Sequence, residues 1–155
     1  MDVDIDAVRE IASAHKDTPG GLLPALHAIQ DRCGHVPPAG VPAIAAEFNL
    51  SRAEVHGVVT YYHHFRSAPP AGQVVQICRA ESCKAMGADA LVAHAEQRLG
   101  CTMHGHSRDG KVTLEPVYCL GLCAQSPSLM IGEELHARVT PQRFDELMAE
   151  LGSPA

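Results

Sequence analysis

The chain has 155 residues, of which 46% are hydrophobic and 19% are charged, and its formal net charge at pH 7 is −6. A chain of this length and composition can bury a hydrophobic core, so extensive disorder is excluded and one ordinary domain or two small ones are expected. The charges are spread along the sequence without a basic stripe. This distribution argues against nucleic acid or an anionic membrane surface as the main partner.

Nothing in the sequence indicates export or membrane insertion. The amino terminus Met1-Asp-Val-Asp-Ile-Asp6 lacks the basic start and apolar run of a secretory signal. No apolar run reaches membrane-spanning length. We therefore expect a cytoplasmic protein with no direct membrane insertion. In a reducing compartment its six cysteines are better explained by metal or redox chemistry than by structural disulfides.

Short helices separated by proline and glycine are predicted for the first part of the chain. The loop Gly34–Gly40 precedes the third helix, and Ser51-Arg-Ala-Glu54 matches a capping box that opens the fourth, whose apolar face would carry Val55, Val58, Val59 and Tyr62. The predicted bounds of the first three helices are Val3–His15, Leu22–Cys33 and Val41–Phe48.

The segment Ser67-Ala-Pro-Pro-Ala-Gly72 predicts a domain boundary, because a helical pattern ends before it and a strand pattern begins after it. We expect a helical docking domain at residues 1–66, a linker at 67–72 and a second domain at 73–155.

Strands and helices are both predicted for the second domain, which indicates an α+β fold class. A turn at Arg108-Asp-Gly-Lys111 separates two of the strands. The last helix begins at Thr140-Pro141 and carries an apolar stripe for packing on the sheet. The predicted strands are Gln73–Ile77, Cys101–His106, Val112–Val117, Leu129–Ile131 and Leu135–Val139; the other helix is Met86–Leu99; and the stripe comprises Phe144, Leu147, Met148 and Leu151.

Two pairs of cysteines each follow a predicted strand. Cys78 and Cys83 form a C-x4-C pair, and Cys119 and Cys123 form a C-x3-C pair. Four soft ligands at one end of a sheet predict a metal site, and two short loops can complete the two tetrahedral irons of a binuclear iron–sulfur cluster. Gly121 could let the second loop fold around the cluster with N–H groups aimed at sulfur, or it could serve packing.

Other interpretations of the cysteines remain open from spacing alone. Zinc also takes four thiolates, although structural zinc sites usually have tighter spacing. The lack of a C-x-x-C motif disfavours disulfide exchange of the thioredoxin type. Cys33 and Cys101 lie outside both pairs and are expected to be small buried hydrophobic residues.

A helix-turn-helix is a further alternative for residues 43–55, which would make the protein a transcriptional sensor. Its recognition helix would offer Arg52 as the only strong cation and would carry Glu54, so binding to phosphates is disfavoured. The ten histidines form no ligand set, and His104 and His106 are expected on one strand face without a third ligand. No catalytic triad, phosphate loop or GxGxxG motif is present, so no catalytic residue is predicted.

The residues from about Val74 to Leu151 resemble the thioredoxin-like [2Fe-2S] ferredoxins. The whole chain resembles the small iron–sulfur subunit that accompanies the flavoprotein of respiratory NADH dehydrogenase. The motifs are the helical segment ending in Gly57-Val-Val-Thr-Tyr-Tyr62, the Cys78–Cys83 loop, and Cys119-Leu-Gly-Leu-Cys-Ala124 followed by Pro127 and a strand. The resemblance implies a helical bundle followed by a thioredoxin-like domain.

Within that family, Ile77-Cys-Arg-Ala-Glu-Ser-Cys-Lys-Ala-Met-Gly87 is most similar to the gamma subunits of cytoplasmic NAD-dependent, molybdenum-containing formate dehydrogenases. Respiratory relatives usually carry small, hydroxyl-rich residues where Arg79 and Glu81 stand here. The equivalent subunits of respiratory NADH dehydrogenase and NAD-linked hydrogenases are the alternatives.

The resemblance implies that Cys78, Cys83, Cys119 and Cys123 bind one [2Fe-2S] cluster. It also implies docking on a flavoprotein subunit that carries FMN, the NADH site and further clusters. Formate oxidation would occur at a molybdenum cofactor in another, catalytic subunit, and this chain would bind neither formate nor NAD.

Nearby cations could tune the cluster, because a positive charge offsets the negative charge of four thiolates and eases reduction. Arg79 and Lys84 are the candidates, and the alternative is that both are solvated charges at the rim of the loop.

Overall fold

The computed structural model describes residues 4–152, and this part of the chain contains seven α-helices and one five-stranded sheet. The chain divides into two compact units, Met1–Pro69 and Pro70–Ala155. All helices of the first unit precede the sheet, and the second unit combines the sheet with three helices. The α+β fold class predicted from the sequence is confirmed.

The elements of the first unit are α1 (Ile5–His15), α2 (Leu22–Cys33), α3 (Val41–Glu47) and α4 (Arg52–Tyr61), with a 3₁₀ turn at Pro38–Gly40. Those of the second unit are β1 (Gln73–Cys78), α5 (Glu81–Ala85), α6 (Ala88–Leu99), β2 (Gly105–His106), β3 (Val112–Val117), β4 (Leu129–Ile131), β5 (Glu134–His136) and α7 (Pro141–Gly152), with a 3₁₀ turn at Cys123–Gln125.

The helix starts of the first unit follow from side-chain caps. Asp4 accepts a hydrogen bond from the Ala7 N–H and so begins α1 at Ile5; the predicted start at Val3 lies outside the described residues. The predicted capping box is confirmed at α4, where the Ser51 hydroxyl accepts from the Glu54 N–H and the Glu54 carboxylate accepts from the Ser51 N–H.

The core of the first unit lies among its four helices. Val55 and Val59 of α4 are buried as predicted and Val58 is half-buried, but Tyr62 is 42% exposed. Tyr62 lies one residue beyond the end of α4 with extended backbone angles, so it no longer follows the helical face. The buried residues of this core are Val8, Ala12, Leu26, Ile29, Val36, Ile44, Ala45, Val55, Val59 and Phe65.

One buried polar side chain fixes the segment that follows α4. Gln30 of α2 is 4% exposed; its Nε2 donates to the His64 carbonyl at 2.8 Å, and its Oε1 accepts from the Arg66 N–H at 2.8 Å. The Arg66 carbonyl in turn accepts from the Val36 N–H at 2.8 Å. A single amide therefore satisfies two backbone groups that would be costly to bury alone.

The sheet of the second unit has the strand order β2-β3-β1-β4-β5. The central strands β1 and β3 are parallel, and every other pair of neighbours is antiparallel. In the parallel register Cys78 pairs with Val117, so β1 and β3 end at the same edge of the sheet. The residues that follow these two strands therefore leave the sheet side by side.

The hydrophobic core of this unit lies between the sheet and helices α6 and α7. Phe144 and Leu147 of α7 are buried, Met148 is 9% exposed, and Leu151 packs against the same cluster, so the predicted stripe is confirmed. The strands contribute Val75, Ile77, Val112, Leu114 and Leu129, and α6 contributes Leu91, Val92 and Ala95.

Four predicted elements of this unit have the wrong bounds, and the smallest difference is in β1, which ends at Cys78 rather than Ile77. Helix α6 begins at Ala88 rather than Met86, because Gly87 takes φ of 97° and separates it from α5. The strand predicted at Cys101–His106 is limited to two residues, since His104 has φ of 64° and leaves the extended region. The strand predicted at Leu135–Val139 is Glu134–His136, and Arg138 has φ of 51°.

In the part of the chain that the structure describes, none of the helices combines the length and the apolar character needed to cross a lipid bilayer.

Replacing Gln30 with leucine should lower the free energy of unfolding by about 1–3 kcal/mol, because two buried backbone groups lose their partner. Urea unfolding followed by circular dichroism measures this. The matched control is Gln97→Leu on the exposed face of α6, which should change stability by less than about 0.5 kcal/mol. Equal stability of the two variants would contradict the role given to Gln30.

Candidate metal centre

The parallel pairing of β1 and β3 places the two cysteine segments together. Cys78 is the last residue of β1, and Cys119 lies two residues beyond the end of β3. The Arg79 N–H donates to the Val117 carbonyl at 2.8 Å, which keeps the two chains paired past the end of β1. Both predicted loops therefore start from one edge of the sheet, as their positions after strands indicated.

Cys83 lies on a helix, not in the loop predicted for residues 78–83. It occupies the middle of α5, a single turn that begins after the extended residue Ala80. Cys78 and Cys83 are each 2% exposed and pack with Ala88, while Val117 and Leu120 cover the same cluster. The first pair of cysteines is thus buried, with apolar side chains forming part of its surroundings, and this burial limits access of water.

The second pair lies at the surface on a strained turn. Cys119 and Cys123 are exposed, and their Sγ atoms are 3.7 Å apart. Cys119 has φ of 90°, a conformation that costs a residue with a side chain about 1–3 kcal/mol and is found mostly at functional sites. Gly121, with φ of 77°, directs its N–H toward Cys119 Sγ at 3.4 Å. This contact agrees with the N–H donor role predicted for Gly121.

The four sulfurs influence one another electrostatically. The pKa of Cys123 is raised, first by its hydrogen bond with Cys119 and by the charge of that sulfur, and also by the charges of Cys83 and Cys78. The Cys78 side chain is one of the groups that lower the pKa of Cys83. Thiolates that influence one another in this way repel, and a cationic metal centre relieves that repulsion.

Serine hydroxyls connect the cysteine segments, and the sequence pattern did not indicate them. Ser82 Oγ donates to the Cys123 carbonyl at 3.0 Å and lies 3.0 Å from Ser126 Oγ. Ser126 Oγ donates to the same carbonyl at 2.8 Å. The signal available in the sequence was only that Ser126 and Ser128 flank Pro127 shortly after a cysteine.

Two of these hydroxyls also reach a cysteine sulfur. Cys83 Sγ is 3.5 Å from Ser126 Oγ and 3.6 Å from Ser128 Oγ. Burial alone would raise the pKa of Cys83, but the hydrogen bonds with Ser126, Ser128 and Cys78 outweigh it and place this pKa below the ordinary value. The surroundings of Cys83 therefore favour the thiolate, which is the form that binds metals.

The donor set fits a binuclear cluster. A tetrahedral metal with metal–sulfur bonds of about 2.3 Å holds two sulfurs about 3.8 Å apart, and the 3.7 Å between Cys119 and Cys123 agrees with this. Residues 4–152 contain no group of three or more His, Cys, Asp or Glu side chains placed to hold one metal ion. A binuclear cluster needs no such group, because the protein supplies four sulfurs to two irons.

The two candidate tuning cations differ in their surroundings. The Arg79 side chain is about one-third exposed, and its Nη2 lies 3.7 Å from Asp89 Oδ1. Its Nε is buried without a hydrogen-bond partner. Lys84 is exposed on α5. Arg79 thus lies nearer the protein interior beside the first cysteine pair, with its charge partly offset by Asp89.

The remaining two cysteines, Cys33 and Cys101, each pack against a hydrophobic core. Cys33 packs against the core of the first unit and Cys101 against that of the second, but both are half-buried rather than fully buried as predicted. Burial and the neighbouring Glu96 raise the pKa of Cys101, so this residue stays a thiol.

The two histidines predicted on one strand face, His104 and His106, have different hydrogen-bond partners. His104 precedes β2, and its Nδ1 lies 2.6 Å from Glu115 Oε2. His106 lies in β2, and its Nδ1 is 3.0 Å from Thr113 Oγ1. Thr113 and Glu115 are two residues apart on β3 and therefore lie on one face of that strand, so the two histidines share a face as expected, although only His106 belongs to β2.

Comparison with known proteins agrees with this geometry. The sequence matches the thioredoxin-like [2Fe-2S] ferredoxin family over residues 8–152. The E subunit of NADH-quinone oxidoreductase from Mycobacterium tuberculosis is 32% identical over 151 residues, which are 97% of this chain and 60% of that protein. The protein of the same name from Escherichia coli is 30% identical over 143 residues, 92% of this chain and 86% of that protein.

Among solved structures, two of an NAD⁺-reducing [NiFe]-hydrogenase are similar. The air-oxidised structure has a TM-score of 0.69 and 25% identity, and the alignment covers 85% of this chain and 23% of the other. The H₂-reduced structure has a TM-score of 0.71 at 23% identity, covering 85% and 22%. The present chain thus spans about 60% of the mycobacterial relative and under a quarter of the hydrogenase chain.

The family match covers residues of both units. The chain belongs to the thioredoxin-like [2Fe-2S] ferredoxin family, and its cofactor is one [2Fe-2S] cluster.

Proposed function

We propose that this chain is the electron-transfer subunit of an NAD-linked oxidoreductase complex, with its [2Fe-2S] cluster bound by Cys78, Cys83, Cys119 and Cys123. The convergence of two sulfur pairs from the ends of parallel strands carries this proposal. Of the six cysteines, these four influence one another, whereas Cys33 and Cys101 pack separately against the two cores.

Each of the two cysteine pairs, Cys78 with Cys83 and Cys119 with Cys123, would bind one iron. The 3.7 Å between Cys119 Sγ and Cys123 Sγ is the separation of two ligands on one tetrahedral metal. Cys78 and Cys83 lie in one buried cluster, which supports the same pairing for the second iron. One iron would then lie in the apolar interior, and the other would lie at the surface.

When bound, a [2Fe-2S] cluster supplies one-electron storage and transfer. The chain encloses Cys78 and Cys83 and leaves Cys119 and Cys123 at the surface, so electrons would enter and leave on the side of Cys119 and Cys123. The isolated chain would be an electron carrier without a substrate site of its own, and no catalytic residue is assigned.

The partner would be a flavoprotein subunit that carries FMN and the NADH site. The relatives named as the E subunit of NADH-quinone oxidoreductase support this, since their name places them in an NADH-oxidising complex. The helical unit would provide the docking surface, on which Tyr61 is 75% exposed and Tyr62 is 42% exposed. Aromatic side chains of this kind are enriched at protein interfaces.

For the parent complex we propose a cytoplasmic, NAD-dependent formate dehydrogenase with a molybdenum-containing catalytic subunit. The support is the segment Cys78-Arg-Ala-Glu-Ser-Cys-Lys-Ala-Met-Gly87, in which charged residues stand between the first two cysteines. Electrons from formate would pass through clusters and FMN of the partner subunits to NAD. Respiratory NADH dehydrogenase and NAD-linked hydrogenase are the alternatives that the similar proteins favour.

Replacing any one of the four proposed ligands with serine should remove most of the visible absorption and the acid-labile sulfide. The serine oxygen is a weaker ligand than the cysteine thiolate, so the cluster is destabilised. Iron and sulfide analysis of anaerobically purified full-length protein measures this. Cys33→Ser and Cys101→Ser are the matched controls and should keep the wild-type content. A colourless wild-type protein containing zinc, or cluster loss in the control variants only, would contradict the assignment.

Affinity purification of the full chain from its native cell should recover a protein that contains FMN and one that contains molybdenum, together with formate-dependent reduction of NAD⁺. This result follows from the proposed complex, and metal analysis with an activity assay measures it. Recovery of hydrogen-dependent or quinone-reducing activity instead would identify one of the alternative complexes.

A variant lacking residues 1–66 serves as the control for docking. It should keep the visible spectrum of the cluster, since all four proposed ligands lie in the second unit, but it should recover no flavoprotein. Co-purification of the flavoprotein with this variant would contradict docking through the helical unit.

Arg79→Ala should lower the midpoint potential of the cluster by less than the roughly 59 mV of a tenfold one-electron change, because Asp89 already offsets part of the charge. Asp89→Asn should shift the potential in the opposite direction. Redox titration followed by EPR measures both. An unchanged potential in Arg79→Ala would leave this side chain without a role in tuning.

A further inference from the structure

Ser128 is a buried hydroxyl directed at a proposed ligand. The residue is 1% exposed, and its Oγ lies 3.6 Å from Cys83 Sγ. Its main chain is fixed as well, because the Ser128 carbonyl accepts from the Cys78 N–H at 3.0 Å, next to the Ile77–Leu129 pair of β1 and β4. The sheet register therefore holds this hydroxyl beside the first cysteine pair.

The Ser126 hydroxyl is also close to Cys83 Sγ, but its proton is used in a hydrogen bond to another acceptor. Its Oγ is 3.5 Å from Cys83 Sγ, in a geometry that suits donation by the thiol, and it donates to the Cys123 carbonyl. A thiolate bound to iron has no proton to donate and only accepts. Ser82 also donates to the Cys123 carbonyl, so Ser126 can turn its proton to the sulfur without leaving that carbonyl unpaired.

We propose that Ser128, together with Ser126, donates hydrogen bonds to Cys83 Sγ when this sulfur binds the cluster, and that these bonds raise the midpoint potential. The inference rests on the proposed function, because Cys83 must be a ligand. Both serines are positioning residues that act through the sulfur rather than through contact with an electron partner.

The direction of the effect follows from charge. Reduction adds one negative charge to the cluster and its thiolates, and a donor that faces a thiolate stabilises the more negative state. The effect is strengthened at Cys83, because this sulfur is 2% exposed and little water competes for it. Removing the hydroxyls should therefore favour the oxidised state.

The test is a redox titration of the full-length, cluster-containing protein, followed by EPR. Ser128→Ala should shift the reduction equilibrium about tenfold toward the oxidised state, which is about 59 mV for one electron. Ser126→Ala should shift it in the same direction by a smaller factor. Ser128→Thr keeps the hydroxyl and should restore most of the wild-type value.

Ser107→Ala is the matched control for loss of a buried hydroxyl. Ser107 is 7% exposed and donates to Asp109 near the start of β3, at the end of the sheet opposite the cysteines. This variant should lose stability without a change of potential. A thermal unfolding series measures stability separately, so that a purely structural role of Ser128 would lower the unfolding temperature and leave the potential unchanged.

Resonance Raman spectroscopy provides a second readout, since loss of a hydrogen bond to the ligand should raise an iron–sulfur stretching frequency in Ser128→Ala. If this variant does not fold, Ser126→Ala decides by the same two measurements. Wild-type iron content with an unchanged potential and frequency in the folded variants would overturn the inference and leave the ligand assignment intact. A wild-type cluster in Cys83→Ser would instead overturn the ligand assignment.

Discussion

The parallel pairing of β1 and β3 is the constraint on which the site depends. Antiparallel neighbours would send the two cysteine segments to opposite ends of the sheet, more than about 15 Å apart over strands of this length. Because Cys78 pairs with Val117 in the parallel register, the two cysteine segments instead leave the sheet at the same edge. Helix α6 provides the crossover that a parallel pair requires, and it also packs against the sheet core.

Around this edge the chain uses two kinds of local structure for two pairs of sulfurs. The first pair lies on regular backbone, the end of a strand and a single helical turn, and is covered by apolar side chains. The second pair lies on a turn with two left-handed residues, Cys119 and Gly121. Serine hydroxyls join the two pairs, so the site is held together by polar contacts as well as by the sheet.

Periodicity was sufficient to predict the longer elements. Helix α2, strand β3 and the apolar stripe of α7 agree with the sequence, because several residues repeat the same period in each. The capping box at Ser51 was equally predictable from its spacing. The shorter elements were not, since a left-handed residue such as His104 or Gly87 interrupts a pattern that otherwise continues.

For the site, spacing indicated the four cysteines, but not their surroundings. A single turn such as α5 carries too few residues for a period, so the position of Cys83 on a helix was invisible. The contact of Ser128 with Cys83 depends on strand register across 45 residues, which no local motif records. Long-range contacts of this kind need the folded chain.

The closeness of Cys119 and Cys123 has a consequence for biogenesis. Two exposed thiols with sulfurs 3.7 Å apart need only a small movement to reach the disulfide bond length of about 2.05 Å. An oxidant can therefore close this turn covalently, and the disulfide would remove two of the four proposed ligands. Binding of the proposed cluster therefore requires both cysteines in the reduced form.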